Sequence, residues 1–183
     1  MSVAKLNGKI IALGRAGYLA ETSPYYQHRI FAIWVEKQKK RFDKLLNDGE
    51  RISGEWLIQA HGTKYNLFHE PFVPFDILIQ HERITYHNFL LRVLPLGFTI
   101  PRLIHIGQPL PLDKALKKLE PSGHGAIDKV EGLVYRCERN ERVDFLCKYV
   151  RNDKEDGIYL PEKNGNTNEV WNVDIDKFLE SLK

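Results

Sequence analysis

Glu131-Gly132-Leu133-Val134-Tyr135-Arg136, followed by Phe145-Leu146-Cys147-Lys148-Tyr149-Val150-Arg151, is the stretch around which the chain is organised. Two alternating apolar runs flank the polar tip Glu138-Arg139-Asn140-Glu141, which is the pattern of a β-hairpin. Glu131 opens one arm, and Lys148 and Arg151 close the other. Paired strand ends lie close together, so an acid and two cations are expected to border one pocket floored by Leu133 and Val134. A carboxylate beside Lys and Arg suits a metal-bound nucleotide better than an apolar ligand.

Composition narrows the rest. At 183 residues, with 43% hydrophobic and 28% charged side chains, the chain has enough apolar material for a sizeable core and is not of the disordered class. A net charge of +3 gives no global field for nucleic acid, so any basic surface must be local. No apolar run reaches membrane-spanning length and no signal-peptide core opens the chain, so a cytoplasmic protein without a membrane partner is expected. Cys137 and Cys147 fall on the two hairpin arms and could face each other; reduced core residues are the expectation. The seven histidines and two cysteines show no zinc-ligand spacing.

Ahead of the hairpin, Ser2 to Leu13 reads as two strands broken at Asn7-Gly8, with Gly14-Arg15-Ala16-Gly17 as the next turn. Helical spacing predicts one long helix from about Tyr25 to Leu46. Its Lys37, Lys39, Lys40 and Arg41 are either a solvated face or a phosphate-backbone contact. Ile52 to Ala60 alternates as a strand that puts Glu55 on the face of Leu57, an odd place for an acid without a polar partner. Phe72 to Gln80 is a strand with Phe72 and Phe75 on opposite faces. Strand-then-helix from Ile84 to Leu96, a strand over Phe98–Gly107 and a helix from Pro111 through Leu119 follow. A polar stretch from Arg151 through Asn166 leads to a last helix from Asp174 to Leu182.

Glu-Gly-apolar-Val-apolar-Arg followed by an apolar-Lys strand resembles the last two motifs of ATP-dependent polynucleotide ligases, and most closely the RNA ligases of the phage and RNA-editing type. The upstream motifs of that family have counterparts here in order: Lys5-Leu6-Asn7-Gly8, Gly54-Glu55-Trp56 and Phe72-Val73-Pro74-Phe75-Asp76-Ile77. The resemblance implies an α+β, ATP-grasp-like adenylyltransferase domain of two antiparallel sheets with flanking helices around a nucleotide cleft. It implies Lys5 as the nucleophile that carries AMP, a Mg²⁺ near Glu131, and Lys148 and Arg151 on the phosphates. Asn7, Arg15 and Arg136 fall at nucleotide-binding motif positions, Arg15 touching the sugar or the strand. Glu55 would meet the ribose. One of Phe72 and Phe75 would stack on adenine, Phe72 being preferred and Phe75 left to the core, with Val134 against the other side of the base.

The chain departs from the pattern at Asn7, where Asp or His is usual, at Ala4 and Ile10, and at Val150, where a second lysine is common. With four residues ahead of Lys5 and few beyond Arg151, a single minimal nucleotidyltransferase domain over 1–183 is expected, with no separate C-terminal domain. A protein partner would then supply any further nucleic-acid-binding domain. The implied reaction passes AMP to an RNA 5′-phosphate, which a 3′-hydroxyl then attacks, a chemistry of RNA repair. The rival is a non-catalytic nucleotide- or RNA-binding module that keeps the ligase fold, favoured by Asn7 and opposed by the intact set Lys5, Glu55, Glu131 and Lys148.

Overall fold

A computed structural model describes residues 1–165 and 168–183; Asn166, the end of the polar stretch expected after Arg151, lies outside the described residues. The protein is α+β with two antiparallel sheets. Its chain forms two compact units, Met1–Trp56 with Pro71–Ile100 and Asp174–Lys183, and Leu57–Glu70 with Pro101–Val173.

The first unit is a five-stranded sheet in the order β2-β1-β3-β4-β5. Its strands are β1 (Ser2–Leu6), β2 (Lys9–Leu13), β3 (Glu50–Trp56), β4 (Phe72–Ile79) and β5 (Glu82–Arg83). Every neighbour is antiparallel, as short connections such as Asn7-Gly8 favour. Where one long helix was expected there are two, α1 (Tyr26–Lys37) and α2 (Lys39–Leu45), with Gln38 at φ −92°, ψ 8° between them. On a straight helix Trp34 and Phe42 would point about 80° apart. The break at Gln38 brings both onto one aromatic core, their rings edge to face at 5.7 Å. Phe31, Trp34, Phe42, Trp56, Phe72 and Phe98 fill that core, and the Trp56 indole N–H donates to Gln27 O at 3.0 Å. Helix α3 (Tyr86–Val93), capped by the Thr85 side chain, also belongs to this unit.

Expected strand Ile52–Ala60 ends at Trp56 because Leu57–Ala60 pairs elsewhere: Ala60 N donates to Val170 O at 2.8 Å and Asn172 N to Ile58 O at 2.9 Å, inside the second unit. No strand forms over Phe98–Gly107. Pro101 lacks a ladder donor, and Phe98 is instead buried in the first unit beneath the Arg41 guanidinium, 3.5 Å from its ring centroid.

The second unit holds the hairpin β6 (Gly132–Arg139) and β7 (Arg142–Val150), turned at Asn140 and Glu141 with φ of 49° and 60°. Helix α4 (Leu112–Leu116) ends short of the expected Leu119, and its Ala115 packs with Leu119 and with Leu133 of the hairpin. Short helix α5 (Pro161–Asn164) follows in this unit, and α6 (Ile175–Ser181) returns to the first, where Phe178 meets Trp56 at 6.2 Å. The cysteines are not core residues: Cys147 is exposed and Cys137 half-buried, both free. Tyr135 opposes Cys147 and Phe145 opposes Cys137, so the two thiols are two positions out of register. Among the described residues no helix is long and apolar enough to cross a membrane.

Candidate active site

In the first unit Lys5 stands just before a tight turn. Asn7 and Gly8 have φ of 51° and 72°, the backbone of a type I′ hairpin, for which Asn-Gly is the preferred pair. That geometry explains Asn at position 7: it sets the turn that ends the Lys5 strand, and its side chain is exposed. Lys5 is mostly covered, with 18% of its side chain accessible, and its Nζ lies 2.8 Å from Asp43 Oδ1. The same ammonium donates to Asp43 O at 3.2 Å. Gly49 N donates to Lys5 O and Gly8 N to Asp48 Oδ1, both at 2.8 Å, so α2 and the turn after it frame the lysine. Asp43 has no place in the motif pattern; it is one acid among the basic residues of α2.

Glu55 is exposed on β3, opposite Val73. The Met1 amino group has its pKa lowered by burial, raised by Glu55 and lowered by Arg15, which puts Glu55 and Arg15 in one neighbourhood. Gly54 of the same motif is required sterically, since a Cβ there would lie 2.7 Å from the Phe72 ring and from Val73 O.

That ring, the one preferred from the sequence for stacking on adenine, is closed in by its neighbours. Phe72 is fully buried, 5.5 Å from Phe31 and 5.6 Å from Trp34, so no face of it is open to a base. Phe75, expected in the core, is 37% exposed. Ser53 pairs with Asp76 and Gly54 with Pro74, which leaves Phe75 as the extra residue of a β-bulge that turns its side chain outward. Pro74 inside the strand was the available signal for that bulge. Asp76 is buried, with its Oδ2 2.8 Å from Arg83 Nε.

In the second unit Glu131 Oε1 and Lys148 Nζ meet at 2.9 Å, both partly open to solvent. Lys148 pairs across the hairpin with Val134, which is 57% exposed, so Glu131, Lys148 and Val134 form one open set. Gly132 allows this pairing, because a Cβ would sit 1.9 Å from Tyr149 O. Leu133 cannot share a floor with Val134, because successive strand residues point to opposite faces; it is buried against Ala115 and Leu119. Arg151 also leaves the expected set. Its backbone N donates to Glu131 O at 3.0 Å, but its Nε donates to Asp153 Oδ1 at 2.9 Å. This pairing raises the Arg151 pKa and lowers that of Asp153. The guanidinium borders a cavity of about 480 Å³ on the Leu133 side, with Leu116, Leu119 and Tyr149 in its wall. Arg136 Nε is 2.6 Å from Glu138 Oε1.

Among the described residues no three His, Cys, Asp or Glu side chains converge on a metal position. A Mg²⁺ carried by nucleotide phosphates needs only one or two protein carboxylates, and partly exposed Glu131 fits that role.

A family model described as RNA ligase matches residues 1–150, a span that includes every motif from Lys5 to Lys148. The chain belongs to the RNA ligase family, and membership supports an RNA-ligase-type function acting on RNA. Comparison with curated proteins and with solved structures gives no match.

Proposed function

We propose that the protein is an ATP-dependent RNA ligase or RNA-ligase-like adenylyltransferase. Lys5 Nζ, as the free amine after losing a proton to solvent, attacks the α-phosphorus of ATP. The N–P bond forms, the bond to the bridging oxygen breaks, and pyrophosphate leaves with that electron pair. The lysyl-AMP then passes AMP to an RNA 5′-phosphate, and a 3′-hydroxyl displaces AMP to seal the strand. Glu131 would hold Mg²⁺, which neutralises phosphate charge when bound. Lys148 adds a point charge to the departing phosphates, and Glu55 and Arg15 orient the nucleoside sugar. Phe75 takes the adenine-stacking role and Val134 offers an apolar surface to the base.

The observation that carries this reading is the family match over 1–150 together with Lys5, mostly covered, immediately before the Asn7-Gly8 turn. Intact mass after incubation with ATP and Mg²⁺ tests it. One acid-labile AMP per chain is expected, absent in Lys5→Ala. ATP bound without an adduct would point to a nucleotide-binding module that keeps the fold.

A further inference from the structure

Two histidines that the nucleotide reading does not use, His69 and His124, meet in the second unit. His69 Nε2 lies 2.9 Å from His124 Nδ1 although 55 positions separate them in the chain. The rings are nearly perpendicular, at 79°, with centroids 5.0 Å apart. The backbone fixes this approach. Tyr65 and Ala126 form a β-bridge, Asn66 N donates to Gly125 O at 2.8 Å, and Ile127 N donates to Lys64 O at 2.9 Å. Gly125 has φ +72°, and a Cβ there would meet Asn66 O at 2.3 Å, so only glycine lets the loop come this close. Ser122 Oγ accepts from His124 N at 3.1 Å, and the Phe68 ring packs edge-on against His69 at 5.2 Å.

Tautomers follow from the partners. His69 Nδ1 is 2.7 Å from Glu70 O, and a carbonyl can only accept, so Nδ1 carries the proton. Neutral His69 therefore presents the Nε2 lone pair, and His124 Nδ1–H donates to it. Metal-binding histidines are oriented in the same way, the far N–H tied to a backbone carbonyl.

We infer that His69 Nε2 and His124 Nδ1 form a two-nitrogen site for one divalent ion of the zinc, cobalt and nickel class, with water in the remaining positions. Imidazole pairs select these ions over Mg²⁺, which takes oxygen ligands. Tetrahedral coordination at about 2.05 Å per nitrogen separates two ligand nitrogens by about 3.3 Å, so the nitrogens part by about half an ångström and the rings tilt to aim both lone pairs at the ion. On binding, the His124 proton moves from Nδ1 to Nε2 through solvent, and neither ring loses its neutral form. The ion would clamp the segment ending at His69 to the loop of residues 121–125.

The test uses the full chain without a histidine tag. Calorimetric titration with Zn²⁺ is expected to give one ion per chain, with excess Mg²⁺ not competing. His69→Gln and His124→Gln should each weaken binding by at least about tenfold. Zn²⁺ should raise the unfolding temperature of the unsubstituted chain and of neither variant. In NMR of the unsubstituted chain, substoichiometric Co²⁺ should broaden the ring signals of His69 and His124 before those of the other histidines. Unchanged affinity in both folded variants would overturn the site. So would broadening that starts at other histidines, and that result is readable even if a variant fails to fold.

Discussion

Lys5 holds its ammonium against Asp43 at 2.8 Å, and Asp43 is largely open to water. Such a pair contributes about 0.2–1 kcal/mol. In the proposed reaction Lys5 leaves it to reach a phosphorus, so Asp43→Ala is expected to speed lysyl-AMP formation by up to about fivefold, the rate equivalent of 1 kcal/mol. Single-turnover adenylylation measures this. At the same scale the two phenylalanines separate. Phe72→Ala should cost roughly 3–5 kcal/mol of stability by emptying a filled aromatic core. Phe75→Ala should leave the denaturation midpoint nearly unchanged yet weaken ATP binding about tenfold or more, since base–aromatic stacking is worth roughly 1–3 kcal/mol. If Phe72→Ala were the variant that lost ATP while staying fully stable, the assignment would return to Phe72.

Elements give the motif glycines their meaning. The hairpin was readable from Glu131 to Arg151 because alternation and a polar tip are local signals, and its register places Lys148 opposite Val134. Gly132→Ala puts a methyl into the Tyr149 carbonyl and should destabilise the protein by roughly 1–3 kcal/mol. Hydrogen exchange should show faster amide turnover along β6 and β7, and unchanged protection there would mean that the strands part without loss. The break at Gln38 and the bulge at Phe75 were not readable in the same way. The break at Gln38 answers to the shape of the aromatic core, which residues distant in sequence build together, while Pro74 signals an irregular strand without saying which residue it turns outward.

For the molecule as a whole, acid sensitivity gathers at Glu50. This buried carboxylate receives both Arg92 guanidinium arms, the Nη1–Oε1 bond being 3.0 Å, and Asn47 N at 2.8 Å. Arg92 also donates to Leu45 O, so the pair ties β3, the end of α2 and α3 together. Burial raises the Glu50 pKa, but Arg92 and Asn47 outweigh it and the net shift is below 4.5. A carboxyl lowered on folding adds stability above its unfolded pKa, and that stability is lost as pH falls through the folded value. Glu50→Gln should therefore cost roughly 1–3 kcal/mol near neutrality and flatten the stability profile below about pH 4.5, as urea unfolding across pH would record. The α+β class, the RNA ligase family and the hairpin from Glu131 to Arg151 were determined by the sequence itself, through periodicity, a polar turn and charged residues at fixed spacing. Tertiary structure alone decided that Phe75 and not Phe72 is exposed, that Asp43 holds Lys5, that Arg151 turns to Asp153, and that His69 meets His124. The Asp43–Lys5 and His69–His124 contacts join residues 38 and 55 positions apart, and the burial of Phe72 depends on rings brought from distant segments; Arg151 and Asp153 are neighbours in the chain, but Asp153 competes there with Glu131, which only the fold brings close.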